Sequence, residues 1–172
     1  MGAALTAMKR VRPDKNILTI AGDGGAYAIG LGETTSAALR NENVTMFVMN
    51  NTVFGMTGGQ LAPTTMIGQK TASTPAGRNF VDNGENTDVF KLMKGMDIAY
   101  LARTSVTSPA NINRTKKAVR KAIEKQQAGK GFSLVEVLVP CPTNWHMSPV
   151  DSMKHIDEVV SKVYELGEVI DR

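Results

Sequence analysis

Cysteine is nearly absent: Cys141 is the only one in 172 residues. One thiol permits no internal disulfide, and by itself it builds neither a zinc nor an iron–sulfur site. Aromatic residues make up only 5% of the chain and show no interleaving with basic ones, so the stacking platform of a nucleic-acid binder is missing. No stretch nears the roughly 18 apolar residues of a membrane span. The opening Met1-Gly2-Ala3-Ala4-Leu5-Thr6-Ala7-Met8-Lys9-Arg10 has no long apolar segment of the kind a secretory signal carries. These absences predict a cytoplasmic chain with neither a membrane nor a nucleic acid among its partners.

What is present suits a single folded domain over residues 1–172, with 42% hydrophobic and 21% charged residues. The net charge of +4 gathers around Arg114, Lys116, Lys117, Arg120, Lys121 and Lys125. These fall in one helical pattern and read as its solvated face, the alternative being a docking surface for an acidic partner.

Short apolar runs alternate with helical patterns. Residues 16–21, 44–49, 98–103 and 132–139 read as buried strands. Residues 26–40 suit a helix weakened by Gly30 and Gly32. Ser108-Pro109 and Ser148-Pro149 each set a capping hydroxyl before a proline at the first helical position, predicting helices to about Gln127 and Leu166. Strands alternating with helices predict an α/β fold, doubly wound, with a mainly parallel sheet and helices on both faces. A small-residue helix over Gly2 to Lys9 opens the chain with no strand before it, which reads as a domain incomplete at its N-terminus. Thr52 to Glu85 is rich in Gly, Thr, Pro and Asn without a period. It is expected to be a long loop (52–85) covering a cofactor, its distal part from about Ile67 ordered only by a partner.

The chemistry starts at Gly22-Asp23-Gly24, directly after the first strand. Turns beyond the carboxyl ends of parallel strands offer backbone N–H groups to anions, and glycine lets a phosphate come close. A carboxylate there would repel that phosphate unless a cation lay between them, and Mg²⁺ takes one or two protein oxygens together with phosphate oxygens. Asn50-Asn51 closes the second strand, one helix and one strand later. In a parallel pair, Asp23 and Asn51 emerge at one sheet edge, and the Val53 carbonyl supplies a third oxygen. A dinucleotide fingerprint fits less well, because Tyr27 stands where its third glycine belongs.

Gly22-Asp23-Gly24 with Asn50-Asn51 resembles the signature of thiamine-diphosphate enzymes. The block Phe54-Gly55-Met56-Thr57-Gly58-Gly59-Gln60-Leu61-Ala62-Pro63-Thr64-Thr65 is similar to the beta subunit of 2-oxoacid:ferredoxin oxidoreductases, most of all the branched-chain 2-oxoisovalerate group. Gly68-Gln69-Lys70-Thr71, Gly131 to Val137 and Cys141-Pro142-Thr143-Asn144-Trp145 extend the likeness over nearly the whole chain.

The resemblance implies oxidative decarboxylation of a 2-oxoacid with coenzyme A, electrons passing through iron–sulfur clusters to ferredoxin. It implies Mg²⁺ ligation by Asp23, Asn51 and the Val53 carbonyl. Gly24, Gly25, Gly55 and Thr57 would lie along the diphosphate of thiamine diphosphate, and Met56 near its thiazolium. Alpha and gamma/delta subunits are the implied partners, and the glutamate that activates the cofactor's aminopyrimidine is implied to come from another subunit, so no acid or base is nominated here. Glu33, Glu136, His146 and His155 read as structural or surface residues. Two departures stand out: Gly25 occupies a position that is often acidic, and the family's other cluster cysteines are missing. Cys141 would then be the fourth ligand of a [4Fe–4S] cluster held only by a complete subunit. Two other readings stay open: a non-redox thiamine-diphosphate decarboxylase or synthase domain, and a non-catalytic module that only binds a partner.

Overall fold

The computed structural model describes residues 1–172 throughout. Helix α1 (Gly2–Val11) precedes β1 (Leu18–Gly22), a wide π-type turn over Gly25–Ile29 and α2 (Leu31–Leu39). Strand β2 (Thr45–Asn50) leads into the small ribbon of β3 (Val53–Phe54) and β4 (Gln60–Leu61), then the short helices α3 (Phe80–Asn83) and α4 (Val89–Met93). Strand β5 (Tyr100–Ser105), helix α5 (Pro109–Gln127) and strand β6 (Ser133–Leu138) follow. Last come α6 (Pro142–Trp145), α7 (Pro149–His155), a second π-type turn over Ile156–Val160, α8 (Ser161–Val163) and β7 (Gly167–Asp171).

The main sheet has the order β1-β2-β6-β5-β7. Its first four strands are parallel and β7 runs antiparallel to β5. One face is covered by α1, α2 and α4, whose Leu5, Ala37 and Phe90 pack on Met46, Val48, Leu101 and Leu134. The other face is covered by α5, through Ala118 and Ala122 against Phe47, Tyr100, Val135 and Val137. This is the doubly wound arrangement expected. Helix α5 begins as the sequence predicts: the Ser108 side chain accepts the Asn111 N–H, with Pro109 in the first turn. At its far end the buried Gln126 side chain accepts the Ile17 N–H at 2.6 Å and donates to the Ile17 carbonyl at 2.8 Å, tying the start of β1 to the helix. No helix is long and apolar enough to cross a membrane.

Three expectations need correction. Residues 52–85 are not one open loop, and their distal part is organised from within the chain. Buried Arg78 donates to the carbonyls of Ala62, Pro63, Thr65, Asn83, Gly84 and Glu85 at 2.6–3.3 Å. The predicted helix from Pro149 is interrupted at Ile156, and helix 26–40 breaks at Gly30. Strand β7 was not expected: its only buried residue is Ile170, so it carries no apolar run.

Candidate functional site

Strands β1 and β2 pair in parallel with Gly22 beside Met49, so Asp23 and Asn51 leave the sheet at the same edge. The Asn51 side-chain amide lies 2.7 Å from the Val53 carbonyl oxygen and 3.1 Å from Asp23 Oδ1. With its nitrogen turned toward them, both contacts are hydrogen bonds and the amide is satisfied without an ion. With its oxygen turned toward them, the Asn51 oxygen, which also accepts the Val53 N–H at 3.3 Å, joins the Val53 carbonyl and Asp23 Oδ1 in a group of hard oxygens that suits a cation. Adjacent ligands of an octahedral Mg²⁺ at about 2.1 Å stand about 3 Å apart. The two spacings from Asn51 bracket that value, so Asn51 is placed to share such an ion with each of the other two oxygens.

Asp23 is only 1% exposed. Its Oδ2 accepts the Thr64 hydroxyl, leaving Oδ1 facing Asn51. Burial pushes the Asp23 carboxyl up to about 7, against the lowering effect of the Thr64 and Gly24 hydrogen bonds, and nearby Glu136 adds to the rise. A divalent ion at Oδ1 would reverse that shift by supplying the missing countercharge.

Gly22, Asp23, Gly24, Gly25, Asn51, Val53, Gly55, Met56 and Thr57 all line one cleft of about 310 Å³, together with Met49 and Phe54. At two glycines a side chain would crowd the residues that line the cleft. A Cβ on Gly24 would run into the Phe54 ring, and one on Gly55 would lie 2.9 Å from the Asn51 amide nitrogen. Met56 is wholly exposed at the rim. The Thr57 hydroxyl is tied to Gln60 Oε1 at 2.6 Å, so it serves the ribbon turn as well as the cleft. Cys141 precedes α6, where its Sγ accepts from Asn144 Nδ2 at 3.1 Å, and the same nitrogen reaches the Gly55 carbonyl at 3.3 Å. The one cysteine therefore sits beside the cleft, but a single thiol does not fit a cluster by itself.

Sequence reasoning missed the polar layer behind the cleft. Glu136 is 1% exposed and not merely structural filling. It accepts from Tyr27 Oη at 2.8 Å, Asn50 Nδ2 at 3.0 Å and Arg103 Nε at 2.7 Å. Arg103 also bonds Asp88 at 2.7 Å and stacks 3.9 Å over the Phe90 ring. Burial and Glu136 together push the Tyr27 phenol well above its usual value. The available signal was a charge inside each of two apolar strands. His146 and His155 take no part: His155 packs edge-on against Trp145 at 5.2 Å.

This is an open α/β domain with an oxygen-lined, glycine-edged cleft at its strand tips. Residues 1–137 match the family described as thiamine pyrophosphate enzyme, C-terminal TPP binding domain, and the chain belongs to that family. It is 37% identical over 168 residues to ketoisovalerate oxidoreductase subunit VorA of Methanothermobacter thermautotrophicus, covering 97% of this chain and 35% of the relative. It is 39% identical over 157 residues to 2-oxoglutarate synthase subunit KorB of Archaeoglobus fulgidus, covering 91% and 54%. The chain thus spans about a third to a half of the length of these curated relatives. Among solved structures, 2-oxoglutarate:ferredoxin oxidoreductase from Magnetococcus marinus, with 2-oxoglutarate, coenzyme A and succinyl-CoA bound, superposes with a TM-score of 0.76. That match covers 99% of this chain and 62% of the other at 22% identity, a likeness of fold.

Proposed function

We propose that this chain is the beta-subunit portion of a 2-oxoacid:ferredoxin oxidoreductase that anchors the Mg²⁺-diphosphate of thiamine diphosphate. The observation that carries the reading is the meeting of the Asn51 amide, the Val53 carbonyl and Asp23 Oδ1 at the tips of successive parallel strands. Asp23, Asn51 and Val53 would hold the ion. The backbone around Gly24, Gly25, Gly55 and Thr57 would follow the diphosphate, with Met56 at the rim toward the thiazolium. Thiamine diphosphate supplies the electron sink for loss of CO₂ from a 2-oxoacid. The residues of this chain position that group and keep bulk water from its charged end. The VorA likeness favours a branched-chain 2-oxoacid, with coenzyme A as acyl acceptor and ferredoxin as electron acceptor. Alpha and gamma/delta subunits would complete the site in the cytoplasm. Cys141, beside Gly55, would join a [4Fe–4S] cluster only where a complete subunit supplies the other ligands.

Two measurements test this. Calorimetric titration of Mg²⁺ with thiamine diphosphate into the chain together with the alpha subunit is expected to give saturable heat, and no heat favours a module without cofactor. The assembled complex is expected to reduce ferredoxin with 2-oxoisovalerate and coenzyme A. Full activity of a complex carrying Asp23→Ala would overturn the metal assignment.

A further inference from the structure

We propose that Glu136, in the middle of the sheet, is a positioning residue for the metal point, acting through Asn50 on the turn at Thr52. The inference deepens the reading above, but its first test is independent of it.

Thr52 adopts φ 61°, a left-handed conformation that a β-branched residue takes only when held. That turn brings the Asn51 side chain and the Val53 carbonyl to the same place. The Thr52 carbonyl accepts the Thr65 hydroxyl at 2.5 Å and the Thr52 hydroxyl accepts from Gln69 Nε2 at 2.8 Å, while the Thr52 N–H is held by Asn50 Oδ1 at 3.0 Å. An amide can face either way, so something must fix which end of Asn50 meets Thr52. Glu136 does so: its carboxylate only accepts, and it takes the Asn50 nitrogen at 3.0 Å, leaving the Asn50 oxygen for Thr52. Glu136 is held in turn by Arg103 and Tyr27. It lies beside Val48 on β2 and Arg103 on β5, so it is anchored by the sheet itself. Asn50, Thr52 and Glu136 are each 1% exposed or less, so water cannot substitute for any of these bonds.

The test compares Glu136→Leu with Glu136→Gln. A glutamine oxygen can still accept from both Arg103 and Asn50, while its nitrogen donates to Tyr27 Oη, so it preserves the sense of the Asn50 amide. Leucine cannot. In Glu136→Leu, amide hydrogen exchange at Thr52 is expected to accelerate at least about tenfold beyond any change at Met46 or Val48 in the centre of β2. Glu136→Gln is expected to keep Thr52 within about threefold of wild type by the same measure. A second readout, on the chain assembled with the alpha subunit, uses Mn²⁺ with thiamine diphosphate, followed by the electron paramagnetic resonance of the ion. Its affinity is expected to fall at least about tenfold in Glu136→Leu and to survive in Glu136→Gln. Should Glu136→Leu not fold, Asn50→Ala cuts the same link and leaves the Arg103–Glu136–Tyr27 bonds intact. It is expected to weaken Mn²⁺ binding equally. The inference is overturned if Thr52 exchange merely follows the centre of β2, or if glutamine behaves like leucine. Wild type that binds no Mn²⁺ with thiamine diphosphate even when assembled with the alpha subunit would sink the functional reading, while the exchange data still decide this one.

Discussion

Replacing Asp23 with asparagine is expected to stabilise the cofactor-free chain and to remove its response to Mg²⁺ with thiamine diphosphate. In the unfolded chain the Asp23 carboxyl ionises near 3.8, and burial raises it to about 7 in the fold. Between those values the folded state binds the extra proton, so stability falls as pH rises and levels off above about 7. The full difference is worth up to about 4 kcal/mol. Asparagine carries no charge, its oxygen can accept from Thr64, and its nitrogen can donate toward the oxygens at the metal point. At pH 8, Asp23→Asn is therefore expected to melt up to about 10 °C higher than wild type. At pH 5 the gain shrinks to roughly 40% of that, because Asp23 of folded wild type is then already neutral and only the cost of protonating it above its unfolded value remains. In the presence of the alpha subunit, adding Mg²⁺ with thiamine diphosphate is expected to raise the wild-type melting temperature and to leave the variant unmoved. Paired thermal melts at the two pH values measure all of this. Equal or lower stability of the variant at pH 8, or a gain independent of pH, would refute the reasoning.

Gly24→Ala sets a methyl group against the Phe54 ring. Cofactor-induced stabilisation is expected to be lost while the melting temperature of the free chain drops by only a few degrees, as read by differential scanning fluorimetry with and without Mg²⁺ and thiamine diphosphate. Arg78→Met removes a donor from six carbonyls, of which those of Ala62 and Pro63 keep a main-chain N–H partner. It is expected to cost about 2–4 kcal/mol in urea unfolding and to speed chymotryptic cleavage after Phe80. Gln126→Ala strips Ile17 and Thr45 of their side-chain partner. A loss of about 1–3 kcal/mol with unchanged cofactor response is expected, since the site lies at the opposite end of the strands.

The four parallel strands were legible because each holds a short apolar run bounded by polar or turn-forming residues, but their ends were displaced. An apolar run stops at the last apolar residue, whereas pairing carries on through Gly22, Asn50 and Ser105. The site was legible for a related reason. A βαβ unit sets where successive strand tips meet, so two short motifs far apart in sequence specify one point in space. Arg78 left no trace because a guanidinium bonding main-chain carbonyls imposes no periodicity on its neighbours. Thr64 lies within the Phe54 to Thr65 motif, yet its bond to Asp23 depends on a chain reversal that no local pattern announces. Glu136 and Arg103 stood in apolar strands as visible anomalies, and only the register placed them side by side.

The guanidinium of Arg78 grips backbone rather than side chains. The path of residues 62–85 is therefore insulated from substitution at most of its own positions, so long as that cation stays. Thr64 rides on this path between two gripped carbonyls, those of Pro63 and Thr65. The segment is thus free to diversify its outward surface toward new neighbours without disturbing the hydroxyl that it delivers to the Asp23 carboxylate.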